Sequence, residues 1–353
     1  MKLVNILSIL LLLITQQLQA LCLKTDKLEY TLGEPVVLYV SLQNTENIPI
    51  ELPRFLQPEY DEVEYKINGK RFIPWIVMDI AVSPTKTFVP GEIIREEVNF
   101  LFNGNEWLFP KAGIYTITAT LYGQSSSITI AVQSPNTNDK ELEKASQLLL
   151  GSYEAGYFLS FEGEGAQFLT EGIQILKKIA NDYPISTLAT YANYTLGHSQ
   201  AFLGNYQEAL PYLKVAQQNP VGFYDIVHTH MSLYQSYMGL ENIQKAETVL
   251  EELKEKISKQ FNDFKPFINA IFSENNLPYL FEPWSTPQIE EAISCQKSCP
   301  QEAFYNATTR ELLIPCIKAL DDSGNIIVYE VVLNQKTPSF VFDLDVNSIK
   351  PHE

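Results

Sequence analysis

The sequence predicts a three-part chain: an all-β sandwich, then a stack of antiparallel helices, then a small C-terminal β unit. Three observations predict it. Apolar residues recur at every second position through residues 21–134, at a helical period through 140–262, and at every second position again after Pro300. Within the helical part, Ile173, Ala209 and Ala246 recur every 36–37 residues. The 353 residues are 45% hydrophobic and 19% charged, a globular composition with room for two or three domains.

Residues 1–20 read as an export signal. Lys2 is the positive start, residues 6–14 are apolar apart from Ser8, and Ala20 is a small residue at the cleavage point. That run is too short to span the roughly 30 Å of bilayer hydrocarbon. No later stretch reaches 18 uninterrupted apolar residues. The expected mature chain has no integral membrane segment and is periplasmic or secreted. A lipid anchor on Cys22 needs a small residue before it, and Leu21 is large.

In residues 21–134, Val36, Leu38, Val40 and Leu42 point one way, and Val37, Tyr39, Ser41 and Gln43 the other. Ile94, Val98, Phe100 and Phe102 share a face, as do Tyr115, Ile117, Ala119 and Leu121, then Ile128, Ile130 and Val132. Turn signals at Leu32-Gly33, Asn68-Gly69, Pro90-Gly91, Asn103-Gly104 and Ala112-Gly113 separate the runs. About seven short strands follow, the number of an immunoglobulin-like sandwich. The pieces Glu29-Tyr30-Thr31-Leu32-Gly33-Glu34-Pro35-Val36, Leu56-Gln57-Pro58-Glu59, Pro90-Gly91-Glu92 and Phe109-Pro110-Lys111-Ala112-Gly113-Ile114-Tyr115 resemble a bacterial Ig-like module of exported proteins. That resemblance implies an architecture and no activity.

Residues 135–139 are a polar linker. In 140–262, the unit Leu196-Gly197, Gly204-Asn205-Tyr206, Ala209, Leu213, Ala216, Pro220 resembles a tetratricopeptide (TPR) repeat, in which small residues let two helices approach. Gly197 and Ala209 are expected to face each other. Tyr183-Pro184-Ile185-Ser186, leading into residues 191–197, is similar to the subtype of bacterial envelope proteins. The third unit is degenerate: Gly239 stands seven residues before Ala246, where the middle unit has five.

Residues 263–300 are expected to be a helical cap and linker, with a helix from Pro287 to Cys299, and 301–353 a small β unit. Strands are expected at 312–320, 326–333 and 339–346. Phe304-Tyr305, Leu312-Leu313-Ile314-Pro315 and Tyr329-Glu330-Val331-Val332-Leu333 are similar to a C-terminal β unit of other exported bacterial proteins. An exported chain favours disulfides. Cys295 and Cys299 sit at i and i+4, which leaves Cys316 as the expected partner of one of them.

No nucleophile elbow, zinc-protease helix, P-loop or dinucleotide fingerprint is present, so an enzyme is not expected, and no catalytic, cofactor or metal residue is assigned. A formal charge of −17 argues against nucleic acid and anionic membranes. Asp61, Glu62 and Glu64 read as a solvated strand start, and Asp321, Asp322 and Asn325 as a turn. His228 and His230 cannot share a helix face and read as surface or groove residues; His198 lines the groove or is packed. The inner helices carry Tyr157, Tyr191, Asn193, Tyr194, Gln200, His230, Tyr234 and Tyr237, aromatic and polar groups suited to a protein or peptide partner. The expected function is therefore an exported bacterial envelope scaffold. The alternative is a cell-surface adhesin or carbohydrate binder using the sandwich, with Trp75 or Trp107 exposed.

Overall fold

The computed structural model describes residues 19–46, 48–74, 85–135, 139–163, 168–275, 277 and 280–281, and the backbone of 304–306, 311–320, 326–335, 342–344 and 350–351. A β-rich region runs to Gln133 and a region of eight described helices follows. The expected helix over 287–299, the loop 321–325, Trp75 and His352 lie outside the described residues.

Two sheets form the β region. The first contains β1 (Gln19–Lys24), β3 (Val36–Asn44) and β8 (Ile93–Phe100), in the order β1-β3-β8. The second has the order β2-β10-β9-β5-β6, from β2 (Glu29–Thr31), β5 (Glu64–Ile67), β6 (Lys70–Arg71), β9 (Gly113–Leu121) and β10 (Gln124–Gln133). β4 (Ile50–Pro53) and β7 (Thr85–Phe88) make a separate ribbon. All pairings among these strands are antiparallel except β2 with β10. Val36, Leu38, Val40 and Leu42 join Val98, Phe100, Ile117, Ala119, Leu121, Ile130 and Val132 in the core between the sheets, as the alternation requires. The expected cleavage point after Ala20 falls inside β1, where Gln19 and Ala20 pair with Asn44 and Gln43.

The helices are α1 (Lys140–Leu150), α2 (Tyr153–Ser160), α3 (Thr170–Asp182), α4 (Thr187–Phe202), α5 (Tyr206–Gln218), α6 (Phe223–Gly239), α7 (Ile243–Gln260) and α8 (Lys265–Glu274). From α2 to α7 each helix packs on the next, and α4 also touches α2 and α6. This makes an inner row of α2, α4 and α6 and an outer row of α3, α5 and α7. The outer helices bury one stripe: α7 buries only Ala246, Val249, Leu253 and Ile257. The inner helices are buried nearly all round, 12 of 16 residues in α4. A helix needs two covering layers for that, and the second layer is the β region.

The outward face of the first sheet closes on the inner helices. Val37, Tyr39, Leu101, Phe102 and Trp107 belong to the helical core, not to the sandwich core. Tyr39 is fully buried, and its ring lies edge-on 5.0 Å from Phe223, 5.0 Å from Phe264 and 5.4 Å from Phe267. Such pairs contribute roughly 0.5–1.5 kcal/mol each beyond area burial. Phe102, expected on the face of Phe100, instead packs on Trp107, Tyr153 and Tyr157, because β8 ends at Phe100 and the chain turns toward α2. Trp107 is buried against these rings, so it offers no exposed aromatic patch.

Two charged ties reinforce the junction. Asp26 Oδ2 accepts the Phe223 backbone N–H at 2.8 Å, capping α6 from the other region. Gly222 allows this, because a Cβ there would lie 2.2 Å from Asp26 Oδ2. Glu34, paired with Lys27, accepts the Tyr191 hydroxyl at 2.9 Å.

Gly197 does mark a tight seam, but its neighbour is Leu213, one turn beyond the expected Ala209. A Cβ on Gly197 would lie 2.6 Å from Leu213 Cγ and 3.1 Å from its backbone nitrogen. Cys22 is disulfide-bonded, and its sulfur is thereby unavailable for a lipid thioether. The expected disulfide set omitted it. Cys295 and Cys299 lie outside the described residues, and of Cys316 only the strand backbone is described. The C-terminal backbone forms β11 (Phe304–Asn306), β12 (Glu311–Leu320), β13 (Ile326–Gln335) and β14 (Phe342–Leu344) in that order, with β15 (Lys350–Pro351) pairing β13. The register shifts between Ile314 and Ile317, around Pro315, where a ladder tolerates proline.

Tyr39→Ala should cost about 3–5 kcal/mol, the usual loss for a fully buried aromatic. The helical signal at 222 nm should melt earlier although the change is in a strand. Tyr39→Phe should melt like the wild type, since the Tyr39 hydroxyl has no hydrogen-bond partner among the described residues.

Candidate functional site

On β8, the residues between the core-facing ones are Arg95, Glu97 and Asn99, and they point at the helices. Glu97 meets three groups there. Glu162 comes from the turn after α2, His198 from α4 and His228 from α6. The turn needs its sequence: Glu162 has φ 53° and Gly163 φ 78°, both left-handed. A Cβ on Gly163 would fall 2.6 Å from Ser199 Cβ and 2.8 Å from Phe158 Cζ, so only glycine fits.

His228 Nε2 lies 2.9 Å from Glu97 Oε1. The N–H direction misses that oxygen, so the contact is an ion pair without a linear hydrogen bond. Nε2 and Glu97 Oε2 are both buried and without a hydrogen-bond partner among the described residues. Glu162 Oε2 is 3.9 Å from His228 Nδ1 and 3.9 Å from His198 Nε2. Two hydroxyls hold this carboxylate: Tyr224 donates to Oε1 at 2.6 Å and Tyr194 to Oε2. His198 Nδ1 shares a 2.8 Å hydrogen bond with Ser232 Oγ.

Charge explains the cluster. Burial disfavours the Glu162 carboxylate, but His228, His198 and the two tyrosines outweigh it and hold the group below its ordinary value. Burial likewise disfavours a charged His228, yet Glu97 and Glu162 lift it to about 9. Two carboxylates brought this close need a positive charge between them. The ligand atoms of Glu97, Glu162 and His228 all lie within 4.8 Å of one another.

Of the residues expected to line an open groove, Tyr191, Asn193, Tyr194, His230 and Tyr237 are buried. The reason is the covering sheet: the inner row already has an occupant. Tyr191 reaches Glu34 and Tyr194 reaches Glu162. Asn193 is turned to its own helix, donating to the Ala189 carbonyl at 2.8 Å. His230 donates Nδ1–H to the Ile226 carbonyl at 2.6 Å inside the helical core, so it is no surface residue. Tyr157, Gln200 and Tyr234 keep partial exposure, and the Tyr157 hydroxyl donates to the Gly104 carbonyl at 2.8 Å. Asp61 is exposed and Glu64 half-buried, and they pair with Arg71 and Lys66. From the sequence His228 reads as a surface or groove residue, and nothing singles out Glu97 or Glu162. Glu97 had the period of a solvent-facing strand position. The one available signal for Glu162 was Glu-Gly immediately after a helix.

No family model matches the chain, and no curated protein matches it. Solved structures match it distantly. The CARDB domain of a Pyrococcus furiosus protein, in complex with di-metal ions, is 14% identical, with 33% of this chain and 94% of that one covered and a TM-score of 0.22. The β-glucosidase of Listeria innocua, in complex with glucose, is 16% identical over 32% of this chain and 16% of its own, with a TM-score of 0.21. The Escherichia coli alpha-2-macroglobulin activated by porcine elastase is 10% identical over 77% and 36%, with a TM-score of 0.20.

Burial, and then Lys256, depress His230 from 6.5 to about 4. Between these values the unfolded chain binds more protons at this site than the folded chain. Stability carried by neutral His230 is therefore complete above 6.5 and is lost as pH falls toward 4. Relative to wild type, His230→Leu should gain about 2 kcal/mol on going from pH 7.5 to 5. Urea unfolding at both pH values measures the difference; equal slopes for the two proteins would exclude His230 as the source.

Proposed function

We propose that this chain is a non-catalytic scaffold of the bacterial envelope, with TPR-like helical pairs α2/α3, α4/α5 and α6/α7, that binds a protein partner through the turns joining each pair. The 36–37-residue spacing coincides with these pairs, and Ala209 and Ala246 are fully buried in them. The inner face, where such stacks hold their ligands, is taken up by the sheet, so recognition moves to another surface.

The carrying observation is a row of exposed apolar side chains on three neighbouring turns. Phe161 and Phe168 flank the first, Phe202 and Leu203 the second, and Met238, Leu240 and Ile243 the third. The helix ends beside these turns touch in order. The Ser199 hydroxyl donates to the Gly163 carbonyl at 3.1 Å, and Gly239 lies against the Tyr206 ring. Seven large apolar groups on one edge exceed the scattered exposure of ordinary surfaces. At the opposite end, Ile185 is exposed alone in its turn.

A photo-crosslinking residue placed at 202, 240 or 185 tests this in cells that express the chain. Positions 202 and 240 should trap the same envelope protein, and 185 none. Adding Leu203→Asp should abolish the adducts with the melting temperature unchanged. Equal trapping from 185, or none from 202 and 240, would overturn the proposal.

A further inference from the structure

The cluster between β8, the turn after α2, and α6 has a geometry that the scaffold reading leaves unused. The contact between His228 and Glu97 is too close to be incidental and too poorly aligned to be a hydrogen bond. Two donor atoms at that spacing can also be neighbouring ligands of one ion. Bonds of about 2.0–2.2 Å with angles near tetrahedral or octahedral place adjacent ligand atoms roughly 2.9–3.4 Å apart. The observed Nε2 to Oε1 distance is 2.9 Å; Glu162 Oε2 stands 3.9 Å from the other ring nitrogen, Nδ1, and would have to move in to complete the set. The imidazole axis and the second Glu97 oxygen are left without a hydrogen-bond partner among the described residues.

We propose that Glu97, Glu162 and His228 bind one divalent transition-metal ion of the zinc or manganese class at the junction of sheet and helices. The donor set selects the class. Two carboxylates and an imidazole suit Zn²⁺, Mn²⁺ or Fe²⁺; calcium and magnesium take oxygen ligands alone, and no thiolate is present to favour a softer ion. The surroundings match what metal ligands need. Tyr194 and Tyr224 orient the Glu162 carboxylate, as outer hydrogen bonds orient ligands elsewhere. His198 Nε2 lies 3.9 Å from Glu162 Oε2, at the edge of the set. The side chains of Glu97, Glu162 and His228 keep 15%, 24% and 14% exposure, while His228 Nε2 and Glu97 Oε2 themselves are buried. A divalent ion would take over the role of the His228 proton, which it displaces, and would balance both carboxylates. The ligands come from three elements far apart in sequence, so the ion would also clamp the two regions together.

The test uses untagged full-length protein stripped with a chelator and titrated with Co²⁺, then with Zn²⁺ in competition. One equivalent of Co²⁺ should bind with visible d–d bands, and Zn²⁺ should displace it. His228→Gln and Glu162→Gln should each weaken binding at least about tenfold, while His230→Gln, two residues away on the same helix, should bind like wild type. Should a variant fail to fold, pulsed electron paramagnetic resonance of Mn²⁺-loaded wild type decides: a coupled imidazole nitrogen supports the site. No saturable one-equivalent uptake by wild type would overturn the proposal. So would unchanged affinity in folded His228→Gln, or no nitrogen coupling.

Discussion

Strand β3 buries both of its faces, and the relation of the two regions follows from that. One face supplies Val36, Leu38, Val40 and Leu42 to the sandwich. The other supplies Val37 and Tyr39 to the helices. A strand of this kind cannot be exposed on either side without uncovering a large apolar area, at roughly 25 cal/mol per Å². The helices gain in return the second covering layer that their inner row requires. Each region therefore leaves a large apolar face uncovered without the other.

The polar groups at this junction follow from the same constraint. Strand alternation puts Arg95, Glu97 and Asn99 on the face the helices cover, so charge is carried into the interface along with Tyr39. Buried charge must be matched. Two ties do this with groups of fixed partners: Asp26 on the end of α6, and Glu34 between Lys27 and Tyr191. At the third, acidic groups from both regions converge on histidines. There, charge is enclosed without a full set of directed hydrogen bonds to His228 Nε2 and Glu97 Oε2 among the described residues.

Periodicity made the succession of sheet and helices legible, and even the tight approach at Gly197, because period-two and period-3.6 patterns report which side of an element is apolar. Such patterns do not report what the other side meets. Val37, Tyr39 and Ser41 alternated correctly with the core set, but nothing local told that their face would be covered. The same blindness made the inner tyrosines read as a groove and left Glu97 unremarked. His228 and His230 lie on different faces of one helix, and both faces turned out to be covered: one by sheet, the other by helix. Cys22, just after the export signal, reads only as a lipid-anchor position, and a disulfide leaves no local pattern.

The cap that Asp26 places on α6 joins residues 197 positions apart in sequence. Helical pairs such as α4/α5 need only local contacts and can form in microseconds, whereas this cap requires most of the chain to close a loop first. The sheet is synthesised before any helix, so its outward face must wait uncovered while the helical stack is made. During that interval Tyr39 and its neighbours are an adhesive surface, and the time the chain spends in this half-assembled form sets its exposure to aggregation and proteolysis. An architecture that stores its binding surface for its own later half makes docking, not helix formation, the vulnerable step of its biogenesis.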